Sequence, residues 1–247
     1  MKKLYGLIGY PLVHSFSKEY FNNKFQSENL NAEYINYQIP AINEIEEIVA
    51  SQKNLCGLNV TIPYKEKVIA YLDEIDSCAA EIGAVNVIKF IRNKDKVKLK
   101  GYNSDWKAFA QTLEGLLKPH HKNALILGTG GASKAVAYAL KTLGINYSFV
   151  SRTPSEGMYA YSDLDEDIMA SHTIIVNTTP LGMYPNVDNY PQLPYHYLTS
   201  DHLLYDLLYN PEKTAFMRKG EEYKAQVKNG LEMLLLQAFI GWQIWNE

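Results

Sequence analysis

The sequence predicts an α/β protein of two domains, on three observations. Short apolar runs alternate with segments whose apolar residues recur at helical spacing, from Leu4 almost to the C-terminus. A glycine-rich turn, Gly128-Thr129-Gly130-Gly131-Ala132-Ser133, stands between one such run and one such helix. The polar stretch His120 to Asn123 follows Lys118-Pro119 and precedes a new apolar run, where a domain can begin. A chain of 247 residues suits two modest domains at roughly 100 to 200 residues each.

In chain order, Leu4 to Ile8 reads as a strand that ends in Gly9 and Pro11, and Ser17 to Asn29 as a helix with Phe21 and Phe25 on its apolar side. Tyr34 to Ile39 is a second strand, and Ile42, Ile45, Ile48 and Val49 fall at helical spacing after it. Leu55 to Thr61 is a third strand, Glu66 to Tyr71 a helix-like stretch, and Val85 to Ile91 and Val97 to Tyr102 two more strands. The alternation predicts a largely parallel sheet. Asp105 to Leu117 reads as a helix; then come strand Ala124 to Leu127, the glycine turn, helix Ala132 to Leu143 with Gly144 as its stop, and strand Tyr147 to Val150. Thr173 to Asn177 and Leu203 to Leu208 are further strands, and Leu231 to Trp245 an apolar final helix.

Hydrophobic residues make up 47% and charged residues 21%, as in ordinary folded domains. A net charge of −3 supplies no basic field for nucleic acid or an anionic membrane, so a small-molecule partner is expected. Cys56 and Cys78 stand in no disulfide or metal-ligand spacing, which predicts packing thiols, a reducing compartment and no metal site. Neither a secretory leader nor an apolar run of about 18 residues is visible. A cytoplasmic location is expected.

Five segments could carry chemistry. The glycine turn allows close backbone approach to a pyrophosphate, whose charge then meets the free N–H groups and positive end of a helix. Ser151-Arg152-Thr153 ends the next strand; the arginine and hydroxyls suit the 2′-phosphate of NADP, where an acid would select NAD. Gly57 to Lys65 and Gly9 to Ser17 place polar clusters after strands, the usual ligand position in open α/β sheets. Gly101 to Asp105 does the same. Each has a plainer account: Arg152 and Lys65 as solvated surface cations, Ser15, Ser17 or Asp105 as helix caps.

Taken in order, His14 to Ser17 (H-S-x-S), Asn59 to Lys65 (N-V-T-x-P-x-K), Ala84 to Asn86 (A-V-N) and Asn103 to Asp105 resemble the shikimate dehydrogenase family. So do Gly128 to Ser133, Asn177 to Met183 (N-T-T-P-L-G-M), Asp206 to Pro211 (D-x-x-Y-N-P) and Asn229 to Ala238. The resemblance implies an N-terminal α/β substrate-binding domain over 1–104, a Rossmann-type doubly wound NADP-binding domain over 105–230, and a C-terminal helix, 231–247, packing back on the first. It implies NADPH-dependent, reversible reduction of 3-dehydroshikimate to shikimate, a step of chorismate and aromatic amino acid biosynthesis, in a cleft between the domains. Lys65 and Asp105 would be catalytic. Ser15, Ser17, Thr61, Asn86, Tyr209 and Gln237 would bind substrate. Gly128, Thr129, Gly130, Gly131, Ala132, Ser151, Arg152, Thr153 and Gly230 would bind the cofactor, in a monomer or homodimer.

Three departures from the family pattern stand out. Ser104 replaces the threonine of N-T-D, Pro154 to Asp167 is short, and Glu156 stands where a second basic residue often follows the arginine. An acid there repels phosphate. NAD therefore remains the alternative cofactor, with a quinate/shikimate dehydrogenase as the rival enzyme and a binding module without turnover as the rival of another class. Tyr184, Tyr190, Tyr195 and Tyr197 suggest either surface packing or a cofactor-side lid.

Overall fold

The computed structural model describes residues 1–12, 15–93 and 96–247. The chain forms two compact units, Met1–Ser104 with Ala238–Glu247, and Asp105–Gln237, and each is α/β.

In the first unit the apolar runs become β1 (Lys3–Gly9), β2 (Ala32–Gln38), β3 (Leu55–Val60), β4 (Glu74–Ile75), β5 (Val87–Asn93) and β6 (Lys96–Tyr102), with helices α1 (Phe16–Ser27), α2 (Ile45–Ser51) and α3 (Ser77–Ile82). The strands lie in the order β2-β1-β3-β5-β6-β4. β1 runs parallel to β2 and β3, whereas β5 is antiparallel to both β3 and β6. The sheet is thus mixed rather than largely parallel. Asn93 pairs with Lys96, so the link from β5 to β6 is too short for a crossover and must be a hairpin. The stretch expected as a helix after Glu66 is a 3-10 turn, Lys67–Tyr71, because the chain must be extended again by Leu72 to enter β4.

Phe21 and Phe25 are buried as their spacing predicts, against Tyr5, Tyr34 and Trp245. The Trp245 indole donates to the Ile88 carbonyl at 3.0 Å, and it lies so close to Gly57 that a Cβ there would meet Nε1 at 2.3 Å. On the outer side of β2, Asn22 of α1 accepts from the Tyr34 N–H at 2.9 Å and donates to its carbonyl at 3.0 Å. An edge strand is thereby closed at its middle.

The second unit comprises α4 (Asp105–Glu114), β7 (Asn123–Leu127), α5 (Gly131–Thr142), β8 (Asn146–Ser151), β9 (Tyr159–Ala160), α6 (Glu166–Ser171), β10 (Ile174–Asn177), β11 (Leu203–Asp206), α7 (Ala215–Glu222), β12 (Gln226–Lys228) and the first turns of α8 (Leu231–Asn246). Its sheet, ordered β12-β11-β10-β7-β8-β9, is parallel throughout. The chain winds outward from β7 through β8 to β9, then returns to build β10, β11 and β12 on the other side. That reversal opens a crevice at the carboxyl ends of β7 and β10. Gly144 ends its helix as expected, at φ +71°. α4 stops at Glu114, before Gly115, and β11 stops at Asp206, both shorter than their apolar patterns suggest. α7 is not visible in the sequence pattern because Gly220 interrupts it. A Cβ at Gly220 would approach Leu204 Cδ2 to 2.6 Å, so the glycine lets the helix lie close on β11.

Among the described residues, no helix is long and apolar enough to cross a membrane and no group of His, Cys, Asp and Glu could hold a metal ion. Cys56 and Cys78 are free and half-buried.

Candidate active site

In the first unit, the ends of β1, β3, β5 and β6 are lined with amides and hydroxyls. Ser15 caps α1, its Oγ accepting from the Lys18 N–H at 3.2 Å. Capping and ligand binding are compatible, because a hydroxyl that accepts one N–H can still donate its own proton. Ser17, the second residue of α1, is half-buried. His14, the first residue of the H-S-x-S segment, lies outside the described residues.

Thr61 leaves β3 with its N–H donating to the Ile8 carbonyl at 3.0 Å, and its methyl sits where a side chain on Gly9 would be, 2.5 Å from the missing Cβ. Gly9 must be glycine for the two strand ends to meet. Lys65 follows, half-buried, with its carbonyl accepting from the Val85 N–H at 2.7 Å. This bond ties the lysine to the A-V-N segment. Asn86 is buried and forms a reciprocal pair with Ser104, its Nδ2 donating to Oγ at 2.9 Å and its Oδ1 accepting from the Ser104 N–H at 2.7 Å. Asn103 donates to the Ala84 carbonyl at 2.9 Å. The backbone just before Asp105 is thus fixed by two buried side chains. Asn59, also buried, donates to the Asn86 carbonyl at 3.3 Å and accepts from the Tyr34 hydroxyl at 2.7 Å.

In the second unit, Asp105 is buried in the first turn of α4, where a carboxylate is favoured by the helix dipole. The glycine turn follows β7. Gly128 holds φ +100°, a conformation that favours glycine, and its N–H donates to the Val150 carbonyl at 2.9 Å. Gly130 is the N-cap of α5 and offers no side-chain cap, so the first N–H groups of a twelve-residue helix face outward beside exposed Thr129 and Gly130. Ser133 turns inward and donates to the Gly130 carbonyl at 2.6 Å. Gly131 and Ala132 form the helix's first turn, half-buried.

Ser151 closes β8, its Oγ accepting from the Thr153 N–H at 3.2 Å, and Arg152, Thr153 and Glu156 are all exposed. The guanidinium of Arg152 is near enough to favour ionisation of the Tyr161 phenol, although burial dominates and raises it. Gly230 lies against Leu207, whose carbonyl oxygen would be only 2.1 Å from an added Cβ. Tyr209 is about two-fifths exposed at 38%, and partial burial raises its phenol above the usual range. The Gln237 amide donates to the Leu234 carbonyl one turn back at 3.0 Å. Of the four tyrosines after Met183, Tyr195 is buried in the core with Tyr190 and Tyr197 packed on it, while Tyr184 is exposed.

In the sequence Asp206 has no role beyond its place in a motif. Its fully buried carboxylate at the end of β11 accepts from Thr214 at 2.6 Å, from Asn177 at 3.0 Å and from the Leu208 N–H at 3.1 Å. Burial pushes its carboxyl up to about 6, against the pull of those three donors. Asn177 in turn accepts from Thr179, and Thr178 flanks Gly128. One carboxylate therefore braces both the loop beside the glycine turn and the turn that carries Tyr209. Nothing in composition or spacing distinguishes such an acid from a surface one.

The model of the shikimate dehydrogenase substrate binding domain matches residues 7–88, the region that holds the amide and hydroxyl cluster. A shikimate dehydrogenase (NADP(+)) of Carboxydothermus hydrogenoformans is 39% identical to this chain, over 99% of it and 91% of the relative. The chain belongs to the shikimate dehydrogenase family. Solved members share its fold: the shikimate dehydrogenase of Aquifex aeolicus superposes with a TM-score of 0.86 at 33% identity, covering 99% of this chain and 92% of the other. The Thermus thermophilus shikimate 5-dehydrogenase, solved in complex with NADP(H) and shikimate, gives 0.85 at 27% identity, with 98% and 93% covered. Within the shikimate dehydrogenase family, the doubly wound sheet seen here is the Rossmann-type domain and the mixed sheet the substrate domain.

Proposed function

We propose that this chain is an NADP-linked shikimate dehydrogenase that interconverts 3-dehydroshikimate and shikimate, with the first unit taking the substrate and the second the cofactor. The observation that carries the proposal is the coexistence, in one chain matched end to end by NADP-linked relatives, of a cluster of amides and hydroxyls at strand ends and an uncapped helix start behind a φ +100° glycine. The first suits a polyhydroxylated acid and the second a pyrophosphate.

In this reading Ser15, Ser17, Thr61, Asn86, Tyr209 and Gln237 hold the hydroxyls and carboxylate of the substrate. Gly128 to Ala132 receive the pyrophosphate, Ser151 to Thr153 the 2′-phosphate, and Gly230 the nicotinamide end. NADPH bound there supplies the hydride. Reducing the ketone leaves a developing alkoxide, and the Lys65 ammonium stabilises that charge and delivers the proton to the oxygen. Asp105 orients the lysine and the substrate hydroxyl. In the oxidative direction the same pair accepts the proton. The place of action is the cytoplasm, as a step toward chorismate.

One feature favours dual cofactor use: Glu156 is exposed in the turn that follows Arg152. The deciding assay follows reduced nicotinamide by absorbance while the protein oxidises shikimate or quinate with NADP or NAD. Activity with NADP and shikimate is expected. Higher efficiency with NAD and quinate would replace the proposal by the quinate/shikimate reading, and no turnover with any pair would leave a binding module.

A further inference from the structure

Tyr34 lies on β2, away from every motif segment, and is fully buried. It nevertheless touches two of the elements that build the substrate site, β3 and α1. The hydroxyl donates to Asn59 Oδ1 at 2.7 Å. Asn59 Nδ2 passes the connection on to the Asn86 carbonyl at 3.3 Å, and Asn86 is locked to Ser104. A buried chain of hydrogen bonds thus runs from β2 through β3 to the start of β5.

The rest of Tyr34 is bound to α1. Asn22 takes both its backbone N–H and its carbonyl, and the ring stacks on Phe21 at 4.8 Å with an interplanar angle of 11°. A helix held by backbone and ring to one residue takes its position from that residue. The N-terminus so placed carries Ser15 and Ser17.

We infer that Tyr34 is a positioning residue for substrate binding: its phenol fixes the Asn59 amide that holds the Asn86 segment, while its backbone and ring hold the helix that carries Ser15 and Ser17, so that the two sides of the site hold one spacing. The inference rests on the proposed substrate site. A buried network of this kind rigidifies only while every member is satisfied. Removing the phenol oxygen would leave the Asn59 oxygen without that partner.

The experiment is Tyr34→Phe, which keeps the stacked ring, with Phe25→Leu as a control. Phe25 is buried on the same helix and takes no part in the hydrogen-bonded chain. Tyr34→Phe should raise KM for shikimate about tenfold, the equivalent of one hydrogen bond at about 1.4 kcal/mol, while kcat and KM for NADP stay within about twofold. Phe25→Leu should lower Tm without moving KM. Combining Tyr34→Phe with Asn59→Ala should cost little more than Asn59→Ala alone, since both cut the same bond.

An unchanged shikimate KM in the phenylalanine variant overturns the inference. So does a parallel decline of kcat and both KM values in Tyr34→Phe and the Phe25→Leu control, which would make Tyr34 ordinary core. If Tyr34→Phe does not fold, Asn22→Ala loosens the same residue from α1 and must raise the shikimate KM alone; if it does not, the inference falls. Wild-type protein inactive on shikimate sinks the proposed function itself, a separate outcome visible before any variant is read.

Discussion

The two units present polar groups at their strand ends by opposite means. The first uses side chains: Asn59, Asn86, Asn103 and Ser104 are buried and bonded to one another, to backbone and to Tyr34. The second uses backbone: at the glycine turn the groups on offer are the N–H donors of an uncapped helix, and the side chains are kept small so that a ligand can come close. A site of side chains can recognise a pattern of hydroxyls, but one lost oxygen disturbs its neighbours. A backbone site recognises only charge and shape, and is spoiled by adding an atom rather than by removing one.

The largest expected effect tests the side-chain site at its reacting end. Lys65→Ala should lower turnover by about a hundred- to ten-thousand-fold, the usual contribution of a placed proton donor, while KM for NADP and Tm stay near wild type. Steady-state kinetics beside a thermal melt decide it. A variant that keeps a tenth of its turnover would remove Lys65 from the chemistry.

The same contrast explains what was legible in the sequence. The glycine turn announced itself because a backbone site leaves a compositional trace: Gly128, Gly130 and Gly131 at fixed spacing between an apolar strand and a helix. Phe21 and Phe25 likewise declared a buried helix face by their period. The side-chain site left no such trace, since serine, asparagine and lysine are common on any surface. Lys65 and Asp105 gained meaning only through the resemblance of whole segments. Tyr34 and Asp206 stayed unassigned because burial is set by tertiary neighbours: nothing near Asp206 in the chain shows that Asn177, 29 positions earlier, will bond its carboxylate. The mixed sheet departs from expectation for a related reason. Alternating strands and helices suggest parallel pairing, and only the two-residue link between Asn93 and Lys96 forbids it.

Gly130→Ala examines the backbone site next. Gly130 has an ordinary φ of −79°, and beyond its chain neighbours no protein atom lies within 4 Å of the methyl that would be added. Folding should therefore be untouched, whereas a pyrophosphate approaching the α5 N-terminus would meet the methyl. KM for NADP should rise at least about tenfold, roughly 1.4 kcal/mol, with KM for shikimate and Tm unchanged. Gly128→Ala should behave differently, lowering Tm because its φ of +100° disfavours a Cβ. Equal behaviour of the two variants would mean that the turn is only a tight connection.

A smaller effect separates the units by pH. His202, buried in the second unit, donates from Nε2 to the Met169 carbonyl at 3.0 Å and accepts at Nδ1 from the Thr199 N–H at 3.0 Å. Burial lowers its pKa. The unfolded chain takes up a proton near pH 6.5 that the folded one resists, so this group's stabilisation is complete above that pH and is lost as pH falls below it. Asp206 works the other way: its carboxyl, at about 6, regains a proton before the unfolded chain does and offsets part of the loss on further acidification. Burial lowers His121 as well, which adds to the histidine side. Melting should show a decline of less than about 1.4 kcal/mol per pH unit, reduced in His202→Gln; an identical pH slope in that variant would discard the assignment.

The smallest effect probes the phosphate end of the backbone site, where side chains do enter. Arg152 and Glu156 are both exposed, so water screens their influence on a bound 2′-phosphate. Removing the acid's charge with Glu156→Gln should improve kcat/KM for NADP by about two- to fivefold, under 1 kcal/mol, and leave kcat/KM for NAD unchanged because NAD carries no phosphate there. The gain should shrink as salt is raised, since exposed charges are screened within about 10 Å at 0.1 M ionic strength. An equal change with both cofactors would place Glu156 elsewhere than beside the phosphate, and the preference for NADP would then rest on Arg152 and its neighbouring hydroxyls alone.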